Sequence, residues 1–239
     1  MNEAMKLLLL DTCGATASIA LAEVSTILGT DSLPNRTAAE RLVSAIRSLL
    51  AAHQTPLQSL AAIVVVHGPG SFTGVRVGVA AAKALCEAAK LPLIAISRLA
   101  VLANLAPTIQ EARRIHAFLD AGRTEFYHGE YANGLCPGES LVTLEEALAT
   151  LALVEEAPVS PTEHAPAPLV IVCEPAVAQS LATLHPHLVS EPTAAEALPI
   201  ALIRLQHQQF DDPVTIDANS VRRTDAEIFA KPNAPAPIA

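Results

Sequence analysis

The chain has 239 residues, 51% hydrophobic but only 3% aromatic, and a formal net charge of −9. That length supports a sizeable core in one domain or two small lobes, and the acidic balance argues against tight autonomous binding to a polyanion such as tRNA, which rests on surplus Lys and Arg. No apolar run reaches the roughly 20 residues of a membrane span, and the opening "MNEAMKLLLLDT" is too short, and broken by Asp11, for a signal-peptide core, so the cytosol is the expected compartment.

The run Lys6–Thr12, "KLLLLDT", is continuously apolar and predicts a strand buried on both faces. Ala17–Val24 alternates and, after a turn at Gly14, predicts its hairpin partner. "STILGTDSLPNR" leads through a third strand or a loop into a helix over Thr37–His53, where Leu42, Ile46 and Leu49 share one stripe and arginines lie opposite. "AAIVVV" is a second buried strand, Gly74–Lys90 a helix closed off by Pro92, and "PLIAIS" a further strand. Strand, Gly-rich turn, helix and strand in that order make a βαβ unit with a parallel strand pair.

After a helical link over Arg98–Ala106 the pattern restarts. "RIHAFLDAGRTEFYHGEY" reads as an apolar strand, a turn at Ala121–Gly122 and an alternating strand, echoing "LLLLDTCGATASIAL". The echo predicts two related lobes. "LEEALATLALV" is a helix, the proline-studded "EEAPVSPTEHAPAP" an exposed loop, "LVIVCEP" a buried strand, and "TAAEALPIALIRLQHQQF" contains a late helix. The division expected is a first lobe over residues 1–104, a second over 105–229 and a disordered tail over 230–239.

The stretch "HGPGSFTGVRVG", His67–Gly78, places four glycines between strand and helix. No lysine follows Gly74 as a Walker A loop requires, and the third glycine falls one residue late for a dinucleotide fingerprint. Two readings stay open. Backbone N–H groups at a helix start, with Ser71 and Thr73 as good capping residues, favour an anion, or the glycines permit a tight, closely packed strand-to-helix turn. Asp11 and Thr12, and Asp120 in the echoing position, read either as partners of Mg²⁺ and phosphate in a two-lobed cleft or as caps of their own turns.

The eight histidines show no HExxH and no i,i+4 pair, and His116 reads as a satisfied core residue. A G-x-S-x-G elbow is missing. Cys13, Cys86, Cys136 and Cys173 form no CxxC pair and read as reduced structural thiols. The helix Gly74–Lys90 is apolar nearly all round, which predicts burial on more than one side, against its own sheet and against a neighbouring helix or a second chain.

Taken in order, "LLLLDTCGATASIALAE", "HGPGSFTGVRVGVAAAKAL" with "LPLIAISRLAVLA", "FLDAGRTEFYHGEY" and "SVRRTDAE" resemble the TsaB (YeaZ) family. The resemblance implies an α/β fold of two actin- or Hsp70-like (ASKHA) lobes, each with a mixed sheet. It implies a part in making N6-threonylcarbamoyladenosine at position 37 of tRNAs that read ANN codons, as a non-catalytic platform for the catalytic TsaD subunit. A TsaE ATPase joins the assembly, ATP and Mg²⁺ are used by the complex, tRNA is met only through it, and no cofactor or metal is assigned to this chain. The related TsaD chains carry metal-binding histidines after the strand that follows the Gly-rich helix; here that place reads "ISRLAVLA".

The implied partner surface is the pair of first-lobe helices, with Leu42, Ile46, Leu49, Val75, Gly78, Ala81, Ala82 and Leu85 as its expected residues and a homodimer through the same face when the partner is absent. Asp11, Thr12, Gly68, Gly70, Ser71 and Asp120 are expected to be vestigial nucleotide contacts. The family's "DTS" is "DTC" here, and "ANSVRR" stands where a "PxYLR"-like string is usual. An autonomous actin-like-fold ATPase or small-molecule kinase, using Asp11 and Asp120 around Mg-ATP, is the alternative.

Overall fold

Leu7, Leu8, Leu9 and Leu10 have no exposed surface, which a strand reaches only when both faces of its sheet are covered. In the computed structural model, which describes residues 5–106, 114–132, 135–155 and 168–219, that strand is β1 (Lys6–Asp11). Antiparallel to it runs β2 (Thr16–Glu23), and β3 (Thr26–Pro34) pairs with β2 in turn. On the other side β4 (Ala62–Val66) and β5 (Leu93–Ile96) are parallel, completing the order β3-β2-β1-β4-β5. The helices α1 (Asn35–Ala52) and α2 (Phe72–Ala89) pack on these strands and on each other.

The second sheet repeats the first. β6 (Ile115–Gly122), β7 (Glu125–Ala132) and β8 (Leu135–Thr143) form an antiparallel meander, and β9 (Leu169–Val172) and β10 (His187–Leu188) add in parallel beside β6. Its order, β10-β9-β6-β7-β8, is the same arrangement reached a second time. The echo in the sequence is therefore a repeat of topology and not only of turn residues. Odd-numbered residues of β6 and β9 (Ala117, Leu119, Ile171) meet α3 (Arg98–Ala103) through Leu99 and Leu102. Even-numbered ones (Phe118, Val170, Val172) meet α4 (Leu144–Glu155) and α5 (Pro175–Ser180) through Ala147, Leu151 and Val177.

The packing crosses the expected boundary at 104/105. α3 lies between the lobes, with Val101 in the core of the first and Leu99 and Leu102 against the second sheet. The turn Ala194–Ala197 and α6 (Leu198–Gln206), expected with the second, pack on β1, β2, β4 and β5 of the first. An apolar stripe announces that a helix is half-buried but not against which sheet. Asp211 bridges to Leu93 at the edge strand and pairs with Arg204 at 3.0 Å, so the returning segment also covers the β5 edge. The tail 230–239, the "SVRRTDAE" string, and most of the Pro-rich loop lie outside the described residues, as does the thiol of Cys136. Cys13, Cys86 and Cys173 are free and buried.

His116 is fully buried in the second lobe, and its Nδ1 lies 3.0 Å from His128 Nε2, while its own Nε2 has no partner. It is thus a core histidine satisfied on one side only. His128 also stacks on Phe118 at 4.5 Å between centroids. Burial, assisted by the Arg114 charge, pushes His116 down to about 4. Burial and the neighbouring His116 push His128 down to about 4, with Glu130 opposing. The folded pair therefore stays neutral where the unfolded chain already binds protons, near 6.5. Stability is expected to fall as pH drops from about 6.5 towards 4, by up to ~1.4 kcal/mol per pH unit per histidine, and to level off below. Chemical denaturation at a series of pH values, comparing the native chain with His116→Leu/His128→Phe, checks this: the double variant should show the shallower loss.

Candidate functional site

The Gly-rich stretch is the turn from β4 into α2. His67 N–H donates to Ile96 O at 3.0 Å, Arg98 N–H to Gly68 O at 2.7 Å, and Ser71 N–H to Cys13 O at 2.8 Å. Ser71 is the N-cap of α2: its Oγ accepts from Gly74 N–H at 3.2 Å and its carbonyl from Val75 N–H. Gly68 sits at φ +112°, which favours glycine, and a Cβ there would stand 3.0 Å from Asn219 O. A Cβ on Gly70 would stand 2.5 Å from Cys13 O, and one on Gly78 would run into Thr12 Oγ1, which itself donates to Gly74 O at 2.6 Å. The stretch forms a tight turn in which the tip of the β1–β2 hairpin is pressed onto the first turns of α2, and the Ser71 N–H is taken by Cys13 O.

Asp11 and Asp120 occupy equivalent places at the ends of β1 and β6 and do the same local work. Asp11 Oδ1 accepts from Cys13 N–H at 2.8 Å, and Asp120 Oδ1 from Gly122 N–H at 2.7 Å. Each is an Asx-type cap of its own hairpin. Their surroundings differ. Asp120 is exposed, and its N–H donates to Glu174 Oε2 at 3.3 Å. Asp11 is 1% exposed, with Arg98 Nε at 3.8 Å from Oδ2.

Arg98, the first residue of α3, is the feature that sequence reasoning missed. It is 4% exposed, and its Nη2 donates to Glu191 Oε1 at 2.6 Å. Burial works against its charge, but Asp11, Cys13 and Glu191 outweigh that and hold its pKa above the ordinary range. Burial raises Asp11 despite the opposing Arg98 charge, and raises Glu174 likewise. The Cys13 thiol is pushed well up by burial and by Asp11, and it donates to Val66 O at 3.2 Å, so it fills the hairpin as a core group. The one signal available was a charge at the start of the otherwise apolar "ISRLAVLA".

Most of the expected partner-surface residues face inward. Leu42, Ile46, Leu49, Val75, Gly78 and Ala82 are buried in their own lobe, and Ala81 and Leu85 are half-buried. The apolar stripe of each helix is the face that packs within its own lobe. Outward on α2 stand Phe72, Arg76, Ala80, Ala84 and Ala88, spaced by four, with Arg76 over the Phe72 ring at 3.5 Å. Outward on α1 stand Ala39, Val43, Arg47 and Ala51, Val43 being 53% exposed.

Among the described residues no three His, Cys, Asp or Glu side chains are placed to hold a metal ion, and no helix is long and apolar enough to cross a membrane. A family model described as TsaD, tRNA N6-adenosine threonylcarbamoyltransferase, matches residues 32–170, more than half the chain. The tRNA threonylcarbamoyladenosine biosynthesis protein TsaB of Escherichia coli is 35% identical over 56% of this chain and 60% of its own length. That of Bacillus subtilis is 36% identical over 55% and 58%. The chain belongs to the TsaB (YeaZ) family. The matches thus span about three fifths of those curated relatives. Among solved structures, YeaZ from Pseudomonas aeruginosa superimposes with a TM-score of 0.66 at 25% identity, over 88% of this chain and 97% of that one. A second Pseudomonas aeruginosa structure, described as similar to peptidase YeaZ, reaches 0.70 at 26%. The fold is the two-lobed α/β ASKHA-like arrangement expected, with a mixed sheet in each lobe.

Arg98→Met should cost about 3–5 kcal/mol at neutral pH, because it strands the buried Asp11 carboxylate. Asp11 then gains by taking a proton that the unfolded chain releases more readily, so the deficit should narrow as pH falls towards 5. Urea denaturation of both chains at pH 7.5 and 5 measures the two gaps.

Proposed function

We propose that this chain is a non-catalytic platform subunit in the synthesis of N6-threonylcarbamoyladenosine at position 37 of tRNA, holding a TsaD-type transferase against the outer faces of α1 and α2. The observation that carries the reading is the outward stripe of α2. Ala80, Ala84 and Ala88 leave its backbone open to close approach, and Val43 is likewise exposed on α1. Small residues spaced by four on an exposed helix suit a helix-to-helix contact with another chain. The names borne by the relatives from Escherichia coli and Bacillus subtilis support the pathway.

Two features favour the platform over the autonomous ATPase or kinase. Asp11 is tied to its own turn and to Arg98, and the glycine loop is closed by Cys13 and Thr12. On this reading ATP and Mg²⁺ serve the other components, a TsaE-type ATPase among them, and this chain works in the cytoplasm without a cofactor. The net charge of −9 fits a subunit that meets tRNA only through its partners. A second copy occupies the same helix face when the transferase is absent.

The test is reconstitution of tRNA modification from threonine, bicarbonate, ATP, the adenylate-forming enzyme, TsaD and TsaE, with and without this chain. Modified adenosine should appear only with the chain present and should survive Asp120→Ala. Ala84→Arg and Val43→Glu should leave the thermal midpoint within a degree or two, since exposed positions away from structural features change stability little, about 0.5 kcal/mol. Both should weaken binding to the transferase at least about tenfold, the cost of a buried unpaired charge. Product formed equally without the chain overturns the reading.

A further inference from the structure

The acid surplus of this chain is not evenly spread. Residues 35–90, which hold α1 and α2, carry six Lys or Arg and two acids, Glu40 and Glu87, a net charge of +4; the total of −9 leaves −13 on the rest. Two of the six cations are spent within the fold. Lys83 Nζ donates to Val214 O at 3.3 Å and to Ile216 O at 2.9 Å, and Lys90 pairs with Glu87. The other four, Arg36, Arg41, Arg47 and Arg76, are exposed and form no ion pair among the described residues.

Elsewhere the cations find acids. Lys6 lies 3.7 Å from Glu23, Arg98 Nη2 2.6 Å from Glu191, Arg114 3.4 Å from Glu130 and Arg204 3.0 Å from Asp211. Outside the two helices only Arg123, of the described cations, stands without one. A chain with 24 acids and 15 Lys or Arg has carboxylates to spare, and it withholds them from one face. Arg36, Val43 and Arg47 recur at helical spacing along α1, with Glu40 the one acid on that stripe and Val43 53% exposed. On α2, Arg76 lies over the exposed Phe72 ring at 3.5 Å. Guanidinium groups beside exposed apolar side chains are the composition of a protein interface.

We propose that the outer face of α1 and α2 selects its partner by charge: it takes an acidic helical surface of a different chain, and like charge opposes its pairing with a second copy. On the platform reading, on which this rests, the different chain is the transferase. In a symmetric self-pair the same patch meets itself, so four arginines face four. Against an acidic face each guanidinium gains a carboxylate, which steers the encounter and discriminates against wrong partners. Ala80, Ala84, Ala88 and Val43 favour protein over nucleic acid as the occupant, because contacts to a phosphate backbone are made by polar and charged groups and leave a small apolar stripe unused.

The experiment measures three equilibria of the full chain, native and Arg36→Gln/Arg47→Gln: binding to the transferase, self-association, and binding to unmodified tRNA. Each is read at about 0.1 M and about 1 M sodium chloride, between which the screening length falls from about 10 Å to about 3 Å. Native affinity for the transferase should fall at least about tenfold across that range while self-association strengthens. At the lower salt the double variant should bind the transferase about tenfold less tightly, yet self-associate more tightly than the native chain. Opposite shifts in one variant separate charge selection from loss of contact or of fold, which would weaken both. Should the double variant not fold, Arg47→Gln decides by the same signs. Transferase binding that ignores salt, or a variant that weakens both pairings, overturns the charge selection and leaves the platform reading standing. No transferase binding at either salt overturns both. Binding of tRNA by the native chain that the variant loses assigns the face to nucleic acid and overturns the proposal as well.

Discussion

The buried guanidinium of Arg98 ties three separate parts of the chain into one junction. Its backbone N–H closes the Gly-rich turn through Gly68 O, its Nε faces the carboxylate that caps the first hairpin, and its Nη2 takes Glu191, on the strap between β10 and the Ala194–Ala197 turn. Taking such a charge out of water costs several kcal/mol and is sustained only with opposite charge and hydrogen bonds arranged around it. The side chain sits at the start of α3, whose Leu99 and Leu102 are buried against the second sheet. The same helix that packs on the second sheet therefore delivers the ion pair that closes the first hairpin.

The two sheets share strand order, and Asp11 and Asp120 share a turn geometry, yet only the first hairpin is sealed. In the second lobe Asp120 stays exposed and the nearest acid, Glu174, takes its N–H. The difference follows from connectivity. The chain leaves the second sheet to cover the first with the Ala194–Ala197 turn and α6, whereas the second sheet receives α3, α4 and α5 from its own neighbourhood. The strap that reaches back has to pass the tip of the first hairpin, and Glu191 is the residue it carries there. A duplicated framework has thus acquired one tied end and one free end.

Elements with strong periodicity were legible in the sequence. The runs "LLLL" and "IVVV" announce double-sided burial, and the hairpin echo announces the repeat, because both are written in consecutive residues. β8 and α5 were not, since "LCPGESLVT" and "PAVAQS" mix turn formers with apolar residues and take their structure from the neighbours they pair with. That the Ala194–Gln206 segment returns to the first sheet was not legible, because an apolar stripe names no partner. Arg98 and Glu191, 93 positions apart, were invisible for the same reason: their pairing exists only once both lobes are folded.

The composition of α2 follows from its having two faces to serve. Inward, Val75, Val79, Ala82 and Cys86 are buried, and Gly78 admits Thr12. Outward, the positions spaced by four hold alanines and one phenylalanine that Arg76 covers. A methyl group left in water forfeits little, because the hydrophobic term scales with area at roughly 25 cal/mol per Å². Large side chains on that outer face would make a contiguous apolar patch and drive association whether or not a specific partner were present. Alanine instead leaves a face that is tolerable alone and closely approachable when another helix arrives, which is how a nearly all-apolar helix can stand at the surface of a chain carrying a net charge of −9.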